Sequence, residues 1–97
     1  MTGLDQIRTK WKREILRIAQ KHGARDIRVF GSVARGESSA ASDLDLLIDM
    51  EEGRSLFDLI HFEQDLEELL GCKVDVVTDG GLHPLLRDDI YLDAIPL

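Results

Sequence analysis

Three aspartates and one glycine–serine pair carry the chemistry open to this chain. In the stretch "VFGSVARGESSAASDLDLLID", residues 29 to 49, Asp43 and Asp45 stand two apart in a run that otherwise alternates like a strand. Alternate residues of a strand share a face, so the two carboxylates leave the same side about 6.6 to 7 Å apart. Carboxylates so placed can reach one hard cation, and Mg²⁺ takes oxygen ligands at about 2.1 Å. A later run, "CKVDVVT", offers Asp75 between Val74 and Val76. Paired beside residues 43 to 48 with the aspartate faces matched, it brings a third carboxylate to the same place. Like charges oppose that convergence unless a metal neutralises them.

Gly31-Ser32 supplies the complementary half. Glycine lets backbone N–H groups approach a ligand closely, and a turn that opens a helix aims unpaired N–H groups outward. Such a turn prefers an anion. Phosphate oxygens at Gly31-Ser32, bridged by Mg²⁺ to Asp43 and Asp45, make the parts of a site for attack on a nucleoside triphosphate, with two-metal chemistry as the template. Asp75 then completes the second metal site or takes the proton from an attacking hydroxyl.

The elements that must position these groups follow from periodicity. From Leu4 to His22 the apolar residues Leu4, Ile7, Trp11, Ile15, Ile18 and Ala19 recur at three- and four-residue steps with Lys10, Arg13, Arg17 and Lys21 opposite, which predicts an amphipathic helix closed by Gly23. "DIRVF", residues 26 to 30, reads as a strand running into the Gly31-Ser32 turn. Ser32 is placed to cap a short helix over 33 to 36, and the small polar "GESSAAS" reads as a surface loop. Residues 43 to 49 form a second strand. Ser55 with Asp58 opens a helix whose apolar face is Leu56, Leu59, Ile60, Phe62, Leu66, Leu69 and Leu70, ending at Gly71. Glu63 interrupts that face for no reason visible in the sequence. Residues 72 to 78 make a third strand, and Pro84 starts a last helix over 84 to 93. The order predicts a single α/β domain over 1–97, with a small mixed sheet of about three to four strands flanked by helices.

Composition narrows the function classes. The formal net charge of -7 is divided unevenly: residues 1 to 35 carry nine Lys/Arg against three Asp/Glu, hence +6, and residues 36 to 97 carry three against sixteen, hence -13. An acidic domain of this kind is a poor holder of long nucleic acid, which needs clustered cations. With no long apolar run and no leader-like start, no membrane partner is expected and the expected compartment is the cytoplasm. The single Cys72 excludes an internal disulfide and reads as a small buried hydrophobe. His22, His61 and His83 read as surface or capping residues, Trp11 and Tyr91 as packing residues, and Asp58, Asp65, Glu67 and Glu68 as a solvated helix face.

Taken in order, Gly31-Ser32, ten residues, then Asp43-Leu44-Asp45 resembles the G-S-x10-D-x-D signature of the DNA polymerase β-like nucleotidyltransferases. The fuller string "GSVARGESSAASDLDLLID", with "LHPLLRDDI" near the end, resembles the minimal nucleotidyltransferase branch, MNT, which pairs with HEPN-domain RNase toxins. The resemblance implies a minimal nucleotidyltransferase fold and an antitoxin that transfers AMP from ATP to a tyrosine of its toxin. It implies that Gly31 and Ser32 hold the triphosphate, that Asp43, Asp45 and Asp75 ligate Mg²⁺, and that Arg35 contacts a phosphate or the partner unless it pairs with Glu37 or another surface acid. Two other readings stand beside it: an antitoxin that neutralises by binding alone, and a stand-alone enzyme acting on a small molecule.

Overall fold

The computed structural model describes residues 3–37 and 43–97. The chain runs through α1 (Leu4–Gln6), a π-helical turn (Ile7–Trp11), α2 (Lys12–His22), β1 (Ala24–Phe30), α3 (Gly31–Ala34) and β2 (Leu44–Met50). It continues through α4 (Leu56–Leu70), β3 (Val74–Thr78), a 3-10 turn (Asp79–Gly81), α5 (Pro84–Asp93) and β4 (Ile95–Pro96). The first three segments are contiguous, so the predicted amphipathic stretch is one helical arm, and Gly23 ends it with its N–H directed at the carbonyls of Ala19 and Gln20.

The four strands form one mixed sheet in the order β3-β2-β1-β4. β2 lies antiparallel to β1 and parallel to β3, and β4 pairs antiparallel with β1. Its α/β architecture and strand number match the expectation. β4 was not expected, because two residues including a proline carry no strand pattern; it is held by pairing with Arg28 and Val29 and by the Leu97 N–H donating to the Ile27 carbonyl at 3.0 Å. β1 begins two residues earlier than its apolar pattern because a register shift between Arg25 and Arg28 absorbs Asp26, whose φ is +51. Asp tolerates that left-handed region better than most residues.

Two further boundaries differ from the sequence pattern. α3 starts at Gly31, where the Arg35 N–H already bonds the Gly31 carbonyl at 3.1 Å, so Ser32 lies inside the first turn and caps nothing. β3 starts at Val74, leaving Cys72 half-buried in the turn before it. Residues 38–42 of the expected polar loop lie outside the described residues.

One face of the sheet makes the core. Val29, Leu44, Leu46, Ile48 and Val74 are buried there with Ile15 and Ala19 of α2 and Phe62 and Leu66 of α4. The apolar face expected on α4 is broader than the one used: Leu56 is 68% exposed and Ile60 40%. At 3.6 residues per turn Ile60 stands about 160° round the helix from Phe62, so it cannot reach the same core. His22 and Asp65 also depart from their expected surface roles. His22 is buried, with its Nε2 2.6 Å from Asp65 Oδ2, and the pair ties α2 to α4.

α4 begins as its sequence predicts. The Ser55 N–H donates to Asp58 Oδ2 at 2.9 Å, and this bond is the main cause holding the Asp58 carboxyl below its usual range. Replacing Ser55 with Ala keeps that bond but removes the hydroxyl, which donates to Asp58 Oδ2 at 3.3 Å, and should cost about 1 kcal/mol, the usual value of such a cap. Urea unfolding should show a lower midpoint at unchanged slope.

Candidate active site

The other face of the sheet carries the acidic groups. In the parallel ladder Asp45 stands opposite Asp75, so two carboxylates leave the same face from neighbouring strands about 4.8 Å apart. Asp43 immediately precedes β2 and lies two residues from Asp45 on the same side. Across the antiparallel ladder Asp45 pairs with Phe30, the last residue of β1, which places the start of α3 directly beside it. The sheet register thus brings Gly31, Ser32, Asp43, Asp45 and Asp75 to one end of one face.

Gly31 and Asp45 are in close approach. Gly31 has φ +74, and a Cβ built on it would lie under 3.0 Å from Asp45 Oδ2. The backbone therefore reaches the carboxylate only because this residue has no side chain. As α3 starts here, the N–H groups of Gly31 and Ser32 fall in a first helical turn, which has no intrahelical acceptors.

Burial is the main cause raising the Asp45 carboxyl above its ordinary range, followed by the negative charges of Asp75 and Asp43; Arg35 acts in the opposite sense. The trio is thus coupled electrostatically as well as by register. Among the described residues no three Asp, Glu, His or Cys side chains are gathered tightly enough to hold a metal ion. The carboxylates are adjacent yet unclosed, as mutual repulsion dictates. Three carboxylates are a hard oxygen donor set that fits Mg²⁺, and a bound cation would relieve that repulsion.

Arg35 follows α3 and is engaged by two acids. Its Nε is 3.0 Å from Glu37 Oε2 and one terminal nitrogen is 2.5 Å from Asp93 Oδ2 at the end of α5. Of the two expectations for Arg35, the structure places it in ion pairs. α5 packs on the same side of the sheet, where the Tyr91 ring faces the Arg28 guanidinium at 5.8 Å and that of Arg87 at 5.4 Å, and its hydroxyl donates to Asp79 Oδ1. Tyr91 is partly buried among these groups. Trp11 is partly buried against the core, beneath the Lys10 ammonium at 4.9 Å. Two acids that sequence reasoning left unexplained or assigned to solvent, Glu63 and Glu67, adjoin Asp75 instead: the charge of Asp75 acts on Glu63, and Glu67 Oε2 accepts the Val74 N–H at 3.0 Å. Their spacing of four on one helix was the available clue.

Known proteins share the sequence and the fold. Residues 10–97 match the nucleotidyltransferase domain family. A provisionally named protein adenylyltransferase of Methanocaldococcus jannaschii is 46% identical over 84 residues, covering 87% of this chain and 90% of the relative. The protein adenylyltransferase MntA of Thermococcus cleftensis is 39% identical over 94 residues, covering 92% of each. A solved structure provisionally assigned as a minimal nucleotidyltransferase superposes with a TM-score of 0.85 at 47% identity, covering 99% of this chain and 97% of that one. A toxin–antitoxin crystal structure with AMP-PNP shares the fold at a TM-score of 0.76 and 18% identity, covering 89% of this chain and 71% of that one. Matched along nearly its whole length in sequence and in fold, the chain belongs to the nucleotidyltransferase domain family, as a member of its minimal nucleotidyltransferase branch.

Proposed function

We propose that this nucleotidyltransferase transfers AMP from ATP to a tyrosine hydroxyl of a HEPN-domain RNase toxin, and so acts as that toxin's antitoxin. The observation that carries the reading is the alignment of Asp45 with Asp75 across β2 and β3, with Asp43 alongside and the Gly31 backbone against Asp45. The names of the relatives at 46% and 39% identity support AMP transfer to protein, and the occurrence of the fold in toxin–antitoxin complexes supports the partner class. Exposed apolar surface supports a protein acceptor over a small molecule. α5 lies on the side of the sheet that bears the carboxylates, buries none of its residues, and leaves Leu85, Leu86 and Leu92 exposed.

In this reading Asp43 and Asp45 hold Mg²⁺, with Asp75 as the third carboxylate. Mg²⁺, when bound, neutralises triphosphate charge and stabilises the charge that develops during displacement. The N–H groups of Gly31 and Ser32 bind phosphate oxygens and fix the α-phosphorus in line with the acceptor. The tyrosine oxygen forms a bond to the α-phosphorus as the bond to the bridging oxygen breaks. Pyrophosphate leaves with that electron pair, and Asp75 takes the phenolic proton. Arg35, whose charge is already felt at Asp45, meets a phosphate once it releases Glu37.

The test is co-expression with the product of an adjacent reading frame that encodes an all-helical protein bearing R-x4-6-H. Intact-mass and peptide mass spectrometry should show AMP on a tyrosine of that protein, and none when Asp43→Asn replaces the wild type. An inhibited but unmodified toxin would instead favour neutralisation by binding. Transfer by the isolated chain to a small hydroxylated acceptor would favour the stand-alone enzyme.

A further inference from the structure

Among the described residues β3 is an outer strand, with one of its edges used by the sheet. On the inner edge the Leu44 N–H donates to the Lys73 carbonyl at 3.0 Å. Successive residues of a parallel strand bond to alternate sides, so Val74 and Val76 turn their N–H groups away from β2 and Asp75, between them, turns its own toward β2. A bare edge of this kind bonds water or recruits another strand. Here α4 covers it. Glu67 Oε2 accepts the Val74 N–H at 3.0 Å, and Glu63, one turn earlier on α4, has its carboxyl raised chiefly by burial while the Val76 backbone acts on it in the opposite sense.

The two periodicities match. Four residues of helix rise about 6.0 Å, and two residues of strand rise about 6.6 Å, so acids one turn apart on α4 meet alternate N–H groups of β3. Bonds from N–H to an ionised carboxylate are about twice as strong as neutral ones. They fix the strand at Val74 and Val76, the neighbours of Asp75, and so set the direction in which Asp75 leaves the sheet. We propose that Glu63 and Glu67 clamp the outer edge of β3 and act as positioning residues for Asp75. The proposal rests on the reading of Asp75 as part of the transfer site.

The arrangement brings two more negative charges near three others, so a field effect on cation binding must be separated from the hydrogen bonds. Ala and Gln variants achieve this, since both remove the charges and only Gln retains an acceptor oxygen. In the ¹⁵N-labelled protein, Glu63→Ala with Glu67→Ala should speed amide exchange at Val74 and Val76 at least tenfold, with Leu46 unchanged. Affinity for Mn²⁺ with α,β-methylene-ATP, followed by electron paramagnetic resonance, should fall about fivefold to tenfold, and Glu63→Gln with Glu67→Gln should recover most of both losses. The single Ala variants report one bond each should the double variant fold poorly. Unchanged exchange, faster exchange with unchanged affinity, or Gln variants as impaired as Ala would each overturn the clamp. If the wild type itself fails to bind Mn²⁺ with the analogue, the transfer-site reading falls, whereas a failure confined to the variants removes the clamp alone.

Discussion

Asp45→Asn should abolish AMP transfer while leaving the protein at least as stable as the wild type. Asp45 is the member of the trio that touches everything else: it faces Asp75 across the sheet, follows Asp43 by two residues, and lies against the Gly31 backbone. If these carboxylates hold Mg²⁺ as proposed, losing one charge from the site removes several kcal/mol of transition-state stabilisation, about 10³-fold in rate at 1.36 kcal/mol per tenfold. Stability moves the other way. Burial and the charges of Asp75 and Asp43 hold the Asp45 carboxyl above its ordinary range, so in the metal-free protein its ionisation opposes folding. A raised folded value means that this opposition is absent below the unfolded value and is complete once pH has risen through the folded one. Asn does not titrate, so the advantage of Asp45→Asn over the wild type should grow as pH rises from about 3.9. Thermal melts in chelator across that range, beside a radiolabelled ATP assay at neutral pH, check both halves. A variant both inactive and less stable at neutral pH would show that Asp45 serves the fold and not the cation site.

Such opposition between stability and site explains what could be read from the sequence. Asp43 and Asp45 were legible because they break a local rule: a strand with a buried face carries charge on the other side of its alternation, and the spacing of two fixes which side. Asp75 was legible for the same reason. Their alignment needed the parallel pairing of β2 with β3, which is a long-range choice that no local pattern encodes. The sequence also misjudged residues whose roles depend on what lies across from them. His22 at a helix end looked solvated, yet Asp65 of another helix draws it inside. Glu67 looked like part of a solvated face, yet it meets the Val74 N–H on a strand seven residues on. β4 had no pattern at all, since its pairing with β1 is imposed by the neighbouring strand.

The second large effect concerns Gly31, and Gly36 provides its control. Both have positive φ, +74 and +73, so an alanine at either position should lose roughly 1 to 2 kcal/mol for the left-handed backbone. Their surroundings differ. A Cβ at Gly36 meets nothing among the described residues within 4 Å, whereas at Gly31 it collides with Asp45 Oδ2. The atom in the way is the end of a side chain, so the fold can relieve the clash by turning Asp45 aside, at little further cost in stability. In the proposed mechanism the site cannot absorb that movement, because the displaced oxygen would be a cation ligand there and a misplacement of about 1 Å can cost 10²-fold in rate. Gly31→Ala should therefore lose about two orders of magnitude in transfer, and Gly36→Ala should remain within a few-fold of wild type, at closely similar urea midpoints. Equal activity in the two variants would mean that the close approach of Gly31 to Asp45 is a packing detail. Equal stability with divergent activity would identify it as the contact that holds the phosphate turn against the carboxylates.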